Sequence, residues 1–474
     1  MRRITSILIA STLLLALSAT ASAEKIALVG GRLIDGTAEL PLRNSVILVN
    51  DGIIEKVGTV GELAVPEGYR IVSTEGHDVL PGLWESHAHL QLSGHADYRH
   101  WQQNYGDRFV DEIMPAALVQ LLLTGVTSVR DLGAPLEDTR IIKQQLADKT
   151  LPGPTLYASG PFIQWQVDDW QSSYRWAVRN QQDAVTKVNQ LADAGMDIIK
   201  LIDQDDMPRA VAEVIVQQAH KRGMKVVAHA HKPNEIRLGI EIGVDNFEHT
   251  GLTTAPGYPD DVLTALKERT ATGIFQGLMF WTPTIEYLWT YQDTIANPEY
   301  LDNDCWHRGL KPDTIADIRQ SVGKPGHLVH SQLVPLRKPT LERKIKQLKD
   351  AGAVLLVGTD VGVPMKFHCQ TTWREMSVWV DDLGFDAMET IRAATYWPAV
   401  MMGVEHRYGS ITPGKVADII AVRGDVLKYM ALMQRVDLVM KDGVIYKQNG
   451  QVHEHLLPEQ LRHQAHFNYS NSTE

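Results

Sequence analysis

The chain has 474 residues and a formal net charge of −11 at pH 7. An acidic chain lacks the basic face that phosphate binding requires, so a nucleic-acid partner is not expected. Its two cysteines, Cys305 and Cys369, are too few for a disulfide scaffold, and they are predicted either to form one bridge or to remain free thiols. The length indicates one large domain and a smaller one.

The first 23 residues have the features of a secretory signal. Arg2 and Arg3 precede an apolar stretch at residues 7–17 and an "ASA" motif. The apolar stretch is too short to span a bilayer, and no later one reaches the roughly 18 residues that a membrane helix needs. We therefore expect a signal peptide over residues 1–23, a net charge of −13 once its two arginines are removed, and an exported protein, periplasmic or secreted, without stable membrane insertion.

Both ends of the chain contain short strands with turn signals. The turn "NDG" at residues 50–52 has a counterpart in "KDG" at residues 441–443. We predict that the two ends pair into one small β-sandwich, built from residues 24–81 and 406–452. A polar surface tail is expected over residues 453–474.

Between these ends, short apolar runs alternate with amphipathic helical stretches. The strand candidates are residues 83–89, 127–133, 155–160, 197–203, 225–231, 246–250, 274–280 and 353–360. Eight βα units predict an α/β fold, a (β/α)8 TIM barrel over residues 82–405. A doubly wound sheet is the alternative, and the lack of a glycine-rich phosphate loop disfavours it.

Polar residues interrupt these strands near their carboxyl ends, where the chemistry of a (β/α)8 barrel takes place. Five strands contribute them: His87 and His89, Lys200, His229 and His231, His249, and Asp360. Side chains two residues apart on a strand share a face, so each histidine pair can converge on one point. A lone histidine is more often a core residue, and a lone lysine usually extends to solvent. The joint pattern instead predicts a metal centre.

The same motifs resemble those of the amidohydrolase superfamily. They are "DVLPGLWESHAHL", "GVTSVRDLG", "DIIKL", "VVAHAH", "GVDNFEHTG", "VGTDVG" and "GSITPGKVADIIAV". Their order and spacing are those of its imidazolonepropionase-like and prolidase-like branch, and they cover essentially the whole chain after the signal. The resemblance implies a mononuclear or binuclear metal centre, a flanking sandwich and hydrolysis of a carbon-nitrogen bond.

The resemblance also implies a ligand set. It assigns His87, His89 and Asp360 to the more buried metal ion, and His229 and His249 to the more exposed one. Lys200 matches the lysine that reacts with carbon dioxide to form a carbamate, whose negative charge can bridge two cations. Imidazole and carboxylate ligands suit zinc, so the expected cofactors are two divalent ions, zinc first, and carbon dioxide as the carbamate on Lys200. Manganese, cobalt and iron remain alternatives.

Two metal ions of this kind acidify a bridging water and polarise the scissile carbonyl. Asp360 is then expected to accept the proton and to deliver it to the departing amine. His231 is the candidate for a hydrogen bond to the carbonyl oxygen, with a structural role beside the ligands as its alternative. His368, in the loop after the last strand, is the candidate for substrate contact.

Two segments depart from the pattern of the family. The chain reads "ASGPFIQWQVDDWQSSYRW" after the third strand, and an insertion from Trp281 to about Lys349 is rich in Trp and Tyr. The first segment contains Phe162, Trp165, Trp170, Tyr174 and Trp176, and around the start of the insertion lie Phe280, Trp281, Tyr287, Trp289 and Tyr291. Loops at these ends build the walls of the active site, so we predict a substrate with a bulky apolar or aromatic group. Packing of the insertion onto the barrel is the alternative.

The leading functional prediction is a metal-dependent hydrolase of amide or peptide bonds, a dipeptidase or N-acyl-amino-acid hydrolase acting on a small molecule or dipeptide. A deaminase or cyclic amide or amidine hydrolase of the same superfamily is one alternative, and Lys200 argues against it because mononuclear deaminases usually lack this lysine. A non-catalytic exported binding protein is another, and the intact ligand set argues against it. The sequence leaves the preferred side chains and the oligomeric state open, a homo-oligomer included.

Overall fold

The computed structural model describes residues 24–251, 255–272 and 278–462. The predicted signal peptide and residues 463–474 of the predicted tail therefore lie outside the described residues. In the described part of the chain, no helix has both the length and the apolar character needed to cross a bilayer.

The N-terminal region consists of short strands. They are β1 (Lys25–Val29), β2 (Arg32–Leu33), β3 (Ser45–Asn50), β4 (Ile53–Thr59), β5 (Arg70–Ser73) and β6 (His77–Pro81). Four of them form a sheet in the order β4-β3-β1-β5. Residues of this sheet such as Ile26, Ile47 and Val72 are buried, and they supply half of a sandwich core.

The next strands form the barrel and an excursion from it. They are β7 (Leu83–Ala88), β8 (Val126–Asp131), β9 (Thr155–Ala158), β10 (Phe162–Gln164), β11 (Arg175–Ala177), β12 (Ile198–Leu201), β13 (Lys225–His229), β14 (Asn246–Glu248), β15 (Met279–Thr282) and β16 (Ala353–Leu355). Within the described residues, the barrel consists of eight parallel strands, which are β7, β8, β9 and β12 to β16. The other two strands, β10 and β11, form the excursion. The Asp197 amide donates to Ala158 O between β9 and β12, and the His89 amide donates to Val361 O where the ring closes.

Helices surround the barrel and fill the insertion between β15 and β16. They are α1 (Tyr98–Tyr105), α2 (Met114–Leu123), α3 (Leu136–Ala147), α4 (Gln181–Asp193), α5 (Arg209–Lys221), α6 (Pro233–Ile242), α7 (Asp260–Thr272), α8 (Tyr287–Ala296), α9 (Pro312–Val322), α10 (Val329–Arg337), α11 (Leu341–Asp350), α12 (Thr372–Ser377), α13 (Ala387–Ala394) and α14 (Tyr396–Met402). Local sequence sets their ends: the Asn180 side chain accepts from the Asp183 amide at the start of α4. Gly243, with φ of 91°, ends α6.

The C-terminal strands return to the N-terminal ones. They are β17 (Ile419–Arg423), β18 (Val436–Lys441), β19 (Val444–Gln448) and β20 (Gln451–Val452). They extend a sheet in the order β2-β6-β17-β18-β19-β20, with β6 and β17 antiparallel. Ile419 and Met440 pack with Ile26 and Ile47 in the core between the two sheets. The predicted TIM barrel with a flanking sandwich from both chain ends is confirmed.

The two echoing turns of the sandwich lie against each other. Gly52 has φ of 73° and Gly443 has φ of 78°, a conformation that favours glycine. A β carbon at either position would lie within 2.6 Å of the backbone of the other turn. Glycine is therefore required here both for the turn and for the close approach.

Several boundaries differ from the sequence prediction. The strands predicted to end at residues 231 and 360 end at His229 and Leu355, so His231 and Asp360 lie in the turns beyond them. The strand predicted at residues 274–280 is observed at Met279–Thr282, with residues 273–277 outside the described residues. The predicted tail is also partly packed, since Leu457 and Leu461 are buried. A short apolar run predicts where a strand lies more reliably than where it ends. Here the predicted strands included polar side chains that belong to the turns after them.

Candidate metal centre and active site

A cavity of about 290 Å³ lies at the carboxyl ends of the barrel strands. Its floor is polar and contains His89, His229, His231, His249 and Asp360. Its walls carry the rings of Tyr98, Phe162, Tyr174, Tyr287 and Tyr291. An apolar pocket with a few converging polar groups is the usual form of a small-molecule site.

A first cluster of candidate ligands joins the first and last barrel strands. The Nε2 atoms of His89 and His87 lie 3.0 and 3.3 Å from Asp360 Oδ1. The Asp360 amide donates to His87 O at 2.7 Å, which holds the carboxylate beside the two imidazoles. Their candidate ligand atoms all lie within 4.8 Å of one another, as the ligands of a single ion do.

A buried carboxylate that the sequence analysis missed orients His87. Glu248 Oε2 lies 2.8 Å from His87 Nδ1, and Arg130 pairs with the other Glu248 oxygen at 2.9 Å. Since the proton on Nδ1 is donated to Glu248, His87 Nε2 carries a lone pair. That lone pair faces Asp360 Oδ1 at 3.3 Å without a hydrogen bond. A cation between them relieves the repulsion, so these residues fit a metal ion.

A second cluster contains His229, His231 and His249. Their ring centroids lie 4.5 to 4.8 Å apart, and their candidate ligand atoms lie within 4.8 Å of one another. His249 Nδ1 lies 2.8 Å from Thr284 Oγ1, which fixes the direction of the ring. The His87 and His249 ring centroids are 4.9 Å apart, so the two clusters adjoin.

Burial favours the neutral form of four of the histidines, which are His87, His229, His231 and His249. It is the largest cause that lowers the pKa of His87 and of His231 to about 4, and the charge of Lys200 adds to it. Burial also lowers the pKa of His229 and His249 well below the usual range. Neutral imidazole is the form that binds a metal ion.

Lys200 is fully buried on β12 beside both clusters. Its Nζ has no hydrogen-bond partner in the described part of the chain. Burial lowers the pKa of this amine to about 8, although the charges of Glu248 and Asp360 oppose the shift. An unpaired ammonium in such a place costs free energy, which is why burial makes the amine easier to deprotonate than an exposed lysine.

The backbone is strained at three positions around the floor. His249, Thr284 and Asp360 have φ of 75°, 49° and 62°, the left-handed region that non-glycine residues seldom adopt. Such residues cluster at functional sites, where surrounding contacts hold them. Here each of them points a side chain toward the clusters.

A third cluster that was not predicted lies outside the cavity. His100 Nε2 is 2.8 Å and His95 Nε2 is 3.6 Å from Asp317 Oδ2, and the Tyr105 hydroxyl donates to the same oxygen at 2.8 Å. The cluster joins α1 to α9 of the insertion. Since α1 also carries Tyr98, this contact braces one wall of the cavity.

His368 lies away from the cavity. Its side chain is 2% exposed, it is absent from the described lining, and it hydrogen-bonds the backbone of His89. In this position it supports a candidate ligand, and its predicted contact with the substrate stays a prediction. His231, in contrast, lines the cavity within the second cluster.

Of the ten aromatic residues singled out by the sequence, four line the cavity and six do not. Phe162, Tyr174, Tyr287 and Tyr291 line the cavity. Phe280 and Trp281 instead belong to β15, where they are fully buried, so the insertion starts after Thr282 and not at Trp281. Sequence composition did not separate these groups, because ring-rich strands and ring-rich loops have the same residue types.

Two comparisons address the family. The model of the family described as "Amidohydrolase family" matches residues 79–446 of this chain, which cover the barrel and most of the sandwich strands that follow it. No curated protein sequence matches the chain significantly.

Solved structures share this architecture. A protein from Bifidobacterium longum that is provisionally named a prolidase is 25% identical, with a TM-score of 0.67 over 90% of this chain and 95% of its own. A Xaa-Pro dipeptidase with bound methionine is 20% identical, with a TM-score of 0.67 over 90% of this chain and 100% of its own. Phenylurea hydrolase B is 18% identical, with a TM-score of 0.70 over 89% of this chain and 96% of its own.

The predicted resemblance to the prolidase-like branch is confirmed by the family match and by these neighbours. The buried histidine clusters give that match a chemical basis, since they can hold metal ions at the strand ends. The chain therefore belongs to the amidohydrolase family and is a metal-dependent hydrolase of carbon-nitrogen bonds.

Proposed function

We propose that this protein is a binuclear metallohydrolase that cleaves the amide bond of a dipeptide or an N-acyl amino acid. The observation that carries the proposal is the pair of adjoining histidine clusters, with Lys200 buried and unpaired beside both. A binuclear site needs a bridging anion between its cations, and Lys200 is the group in the described chain that is placed to supply one.

The proposed ligands follow the two clusters. His87, His89 and Asp360 hold the more buried ion, and His229 and His249 hold the more exposed one. Zinc is the metal that best suits neutral imidazoles with a carboxylate, and it outcompetes manganese and iron at equal availability. When bound, the two ions supply an acidified water and a polarised carbonyl.

Lys200 is proposed to carry a carbamate. Its neutral amine attacks carbon dioxide, a nitrogen-carbon bond forms, and one proton is released to solvent. The product is an anion where an ammonium would have been buried without a partner. The burial of Lys200 and its missing hydrogen bond both support this modification.

Asp360 and His231 are proposed to act on the substrate. The Asp360 side chain is 24% exposed and lies on the cavity floor, where its carboxylate can take a proton from the attacking water and pass it to the leaving nitrogen. His231 Nδ1 is buried and makes no hydrogen bond in the described part of the chain, and its ring lines the cavity. It is placed to donate to the carbonyl oxygen of the scissile amide.

The protein is also proposed to be exported, to the periplasm or beyond. The basic, apolar and "ASA" segments at the N-terminus support this proposal. A disulfide joins Cys305 to Cys369, and such bonds persist in oxidising compartments. N-terminal sequencing of the exported fraction is expected to begin at Glu24.

Metal analysis followed by a substrate screen tests the proposed function. The purified protein is expected to contain two equivalents of zinc and to hydrolyse members of a panel of dipeptides and N-acyl amino acids. Release of ammonia from amidine substrates, with no cleavage in the panel, would support the deaminase alternative. A protein without bound metal and without turnover would support the binding-protein alternative.

A further inference from the structure

Arg175 is a cation of the cavity wall that the proposed mechanism does not use. It begins β11 in the excursion after β9, and it lines the cavity beside Tyr98 and Tyr174. Its Nε is buried and has no hydrogen-bond partner in the described chain. Its Nη1 donates at 3.2 Å to the side-chain oxygen of Gln164, a neutral group.

Neutral neighbours hold the guanidinium in place. Its central carbon lies 5.4 Å from the ring centroid of Phe162 and 5.6 Å from that of Tyr174. Gln164 is itself anchored, since its amide donates to Asp203 Oδ2 at 2.9 Å. Aromatic faces attract a cation without neutralising it. Arg175 is therefore fixed in position while its charge is left available.

Phe162 connects this arginine to the candidate metal centre. The centroid of its ring lies 5.6 Å from that of His89, a candidate ligand, and Arg175 approaches the same ring. The ring of Phe162 therefore lies between the candidate ligand and the guanidinium, and contacts both.

Two fully or largely buried cations near the cavity differ from Arg175, which is half-buried. Lys366 lines the cavity, but it pairs with Glu286 at 2.9 Å and both side chains are fully buried, so its charge is balanced. Arg337 has unpartnered N–H groups, but it lies next to Tyr287 and is not part of the described lining. Within the described residues, Arg175 is the lining cation that no carboxylate neutralises.

We propose that Arg175 binds the free carboxylate of the substrate, on the leaving-amine side of the scissile amide. The inference rests on the proposed function, whose dipeptides and N-acyl amino acids all carry this carboxylate, and it names the residue that selects for it. The planar guanidinium matches a carboxylate with two parallel hydrogen bonds, a geometry that lysine cannot reproduce. Neutral amides and ureas lack this contact.

Paired substrates test the inference. A panel of dipeptides and N-acetyl amino acids is assayed, each beside the same compound with its carboxylate converted to a carboxamide. The wild type is expected to prefer the acid in every pair that it hydrolyses, by about 30-fold in kcat/KM. The free energy that a hydrogen bond to a charged group contributes corresponds to a ratio of about this size. The difference is expected mainly in KM, since the carboxylate is bound alike in the ground and transition states.

Variants assign the preference to Arg175. Arg175→Met is expected to bring the ratio of kcat/KM for the acid to that for the carboxamide close to one, chiefly by lowering kcat/KM for the acids, with the metal content kept. Arg175→Lys is expected to restore part of this ratio. Arg179→Met is the matched control, since Arg179 is exposed and follows four residues later. It is expected to behave as the wild type.

The outcomes separate the two claims. Equal hydrolysis of acids and amides by the wild type, or an unchanged preference in Arg175→Met, would overturn the role of Arg175 and leave the proposed function standing. If Arg337→Met loses the preference for acids and Arg175→Met keeps it, the carboxylate site lies at Arg337 and the role of Arg175 is overturned. Failure of the wild type to cleave any pair would overturn the proposed function itself.

Discussion

The floor of the cavity is built differently from its rim, which is the part of the wall that the excursion after β9 and the insertion after β15 supply. On the floor, His87, Glu248 and Arg130 are fully buried and hydrogen-bonded to one another, and the backbone of adjacent strands sets their positions. On the rim, Arg175 and Tyr287 come from an excursion and an insertion that are more than 100 residues apart. In the proposed function, the floor determines whether an amide is cleaved, and the rim determines which amide enters. Substitutions in the two regions should therefore fail differently.

Asp360→Asn gives the largest expected effect, because it changes the reacting group of the floor. An amide cannot take the proton from the attacking water, and proton transfer of this kind is worth about 10² to 10⁴ in kcat. The fold should persist, as shown by circular dichroism. Near-normal kcat in steady-state assays would place the base elsewhere, with His231 next in order.

Glu248→Gln tests a residue that orients a candidate metal ligand, His87, without being a candidate ligand itself. The variant weakens the carboxylate that orients His87, and losing such a partner typically costs about 10- to 100-fold in metal affinity. Competition with a chelator measures the change. Glu112→Gln is the control, since Glu112 is a buried carboxylate that holds Thr314 in the insertion. Equal metal affinities of the two variants would contradict the account of His87.

Side-chain preference tests the rim. Burying a Phe or Leu side chain against the aromatic wall is worth about 1.5 to 3 kcal/mol, so kcat/KM should rise by about 10-fold or more from Ala to Phe or Leu in a dipeptide panel. Tyr287→Leu should reduce this preference. Trp289→Leu, on the same helix but outside the described lining, should not. A preference for Gly, Asp or Lys on both sides of the bond would show that the rings are structural.

Removal of the disulfide tests whether the candidate metal ligands of the floor need the insertion to be tied in place. The disulfide ties Cys305 of the insertion to Cys369 in the loop that follows Asp360. Replacing both cysteines by alanine should lower the free energy of unfolding by about 2 to 4 kcal/mol, measured by denaturant titration. Metal content should stay unchanged, because no floor ligand is lost. Release of metal would show that the floor depends on the rim.

The sequence predicts the floor far better than the rim. The spacing of His87 and His89 follows from strand periodicity, so their convergence could be inferred from the sequence alone. Glu248 could have been noticed as a charged residue next to His249, but its partner Arg130 lies on another strand. A neighbour across the barrel leaves no signal in local periodicity.

For the rim, the sequence predicted the types of residue that are present but not which of them line the cavity. The aromatic segments pointed to cavity walls, but Phe280 and Trp281 proved to be strand residues. Arg175 sits in one of these segments and carries no motif, and the pairing of His100 with Asp317 spans 217 residues of sequence. Loop conformations depend on long-range packing, which residue types alone do not specify.

Metal stoichiometry in the wild type and in Lys200→Ala tests the proposal that a carbamate on Lys200 would help to hold two metal ions. The wild type should bind two equivalents. The variant should lose mainly the more exposed ion and most of its turnover, with partial rescue by short carboxylic acids that fill the place of the carbamate. Two bound ions with full turnover in Lys200→Ala would contradict the account.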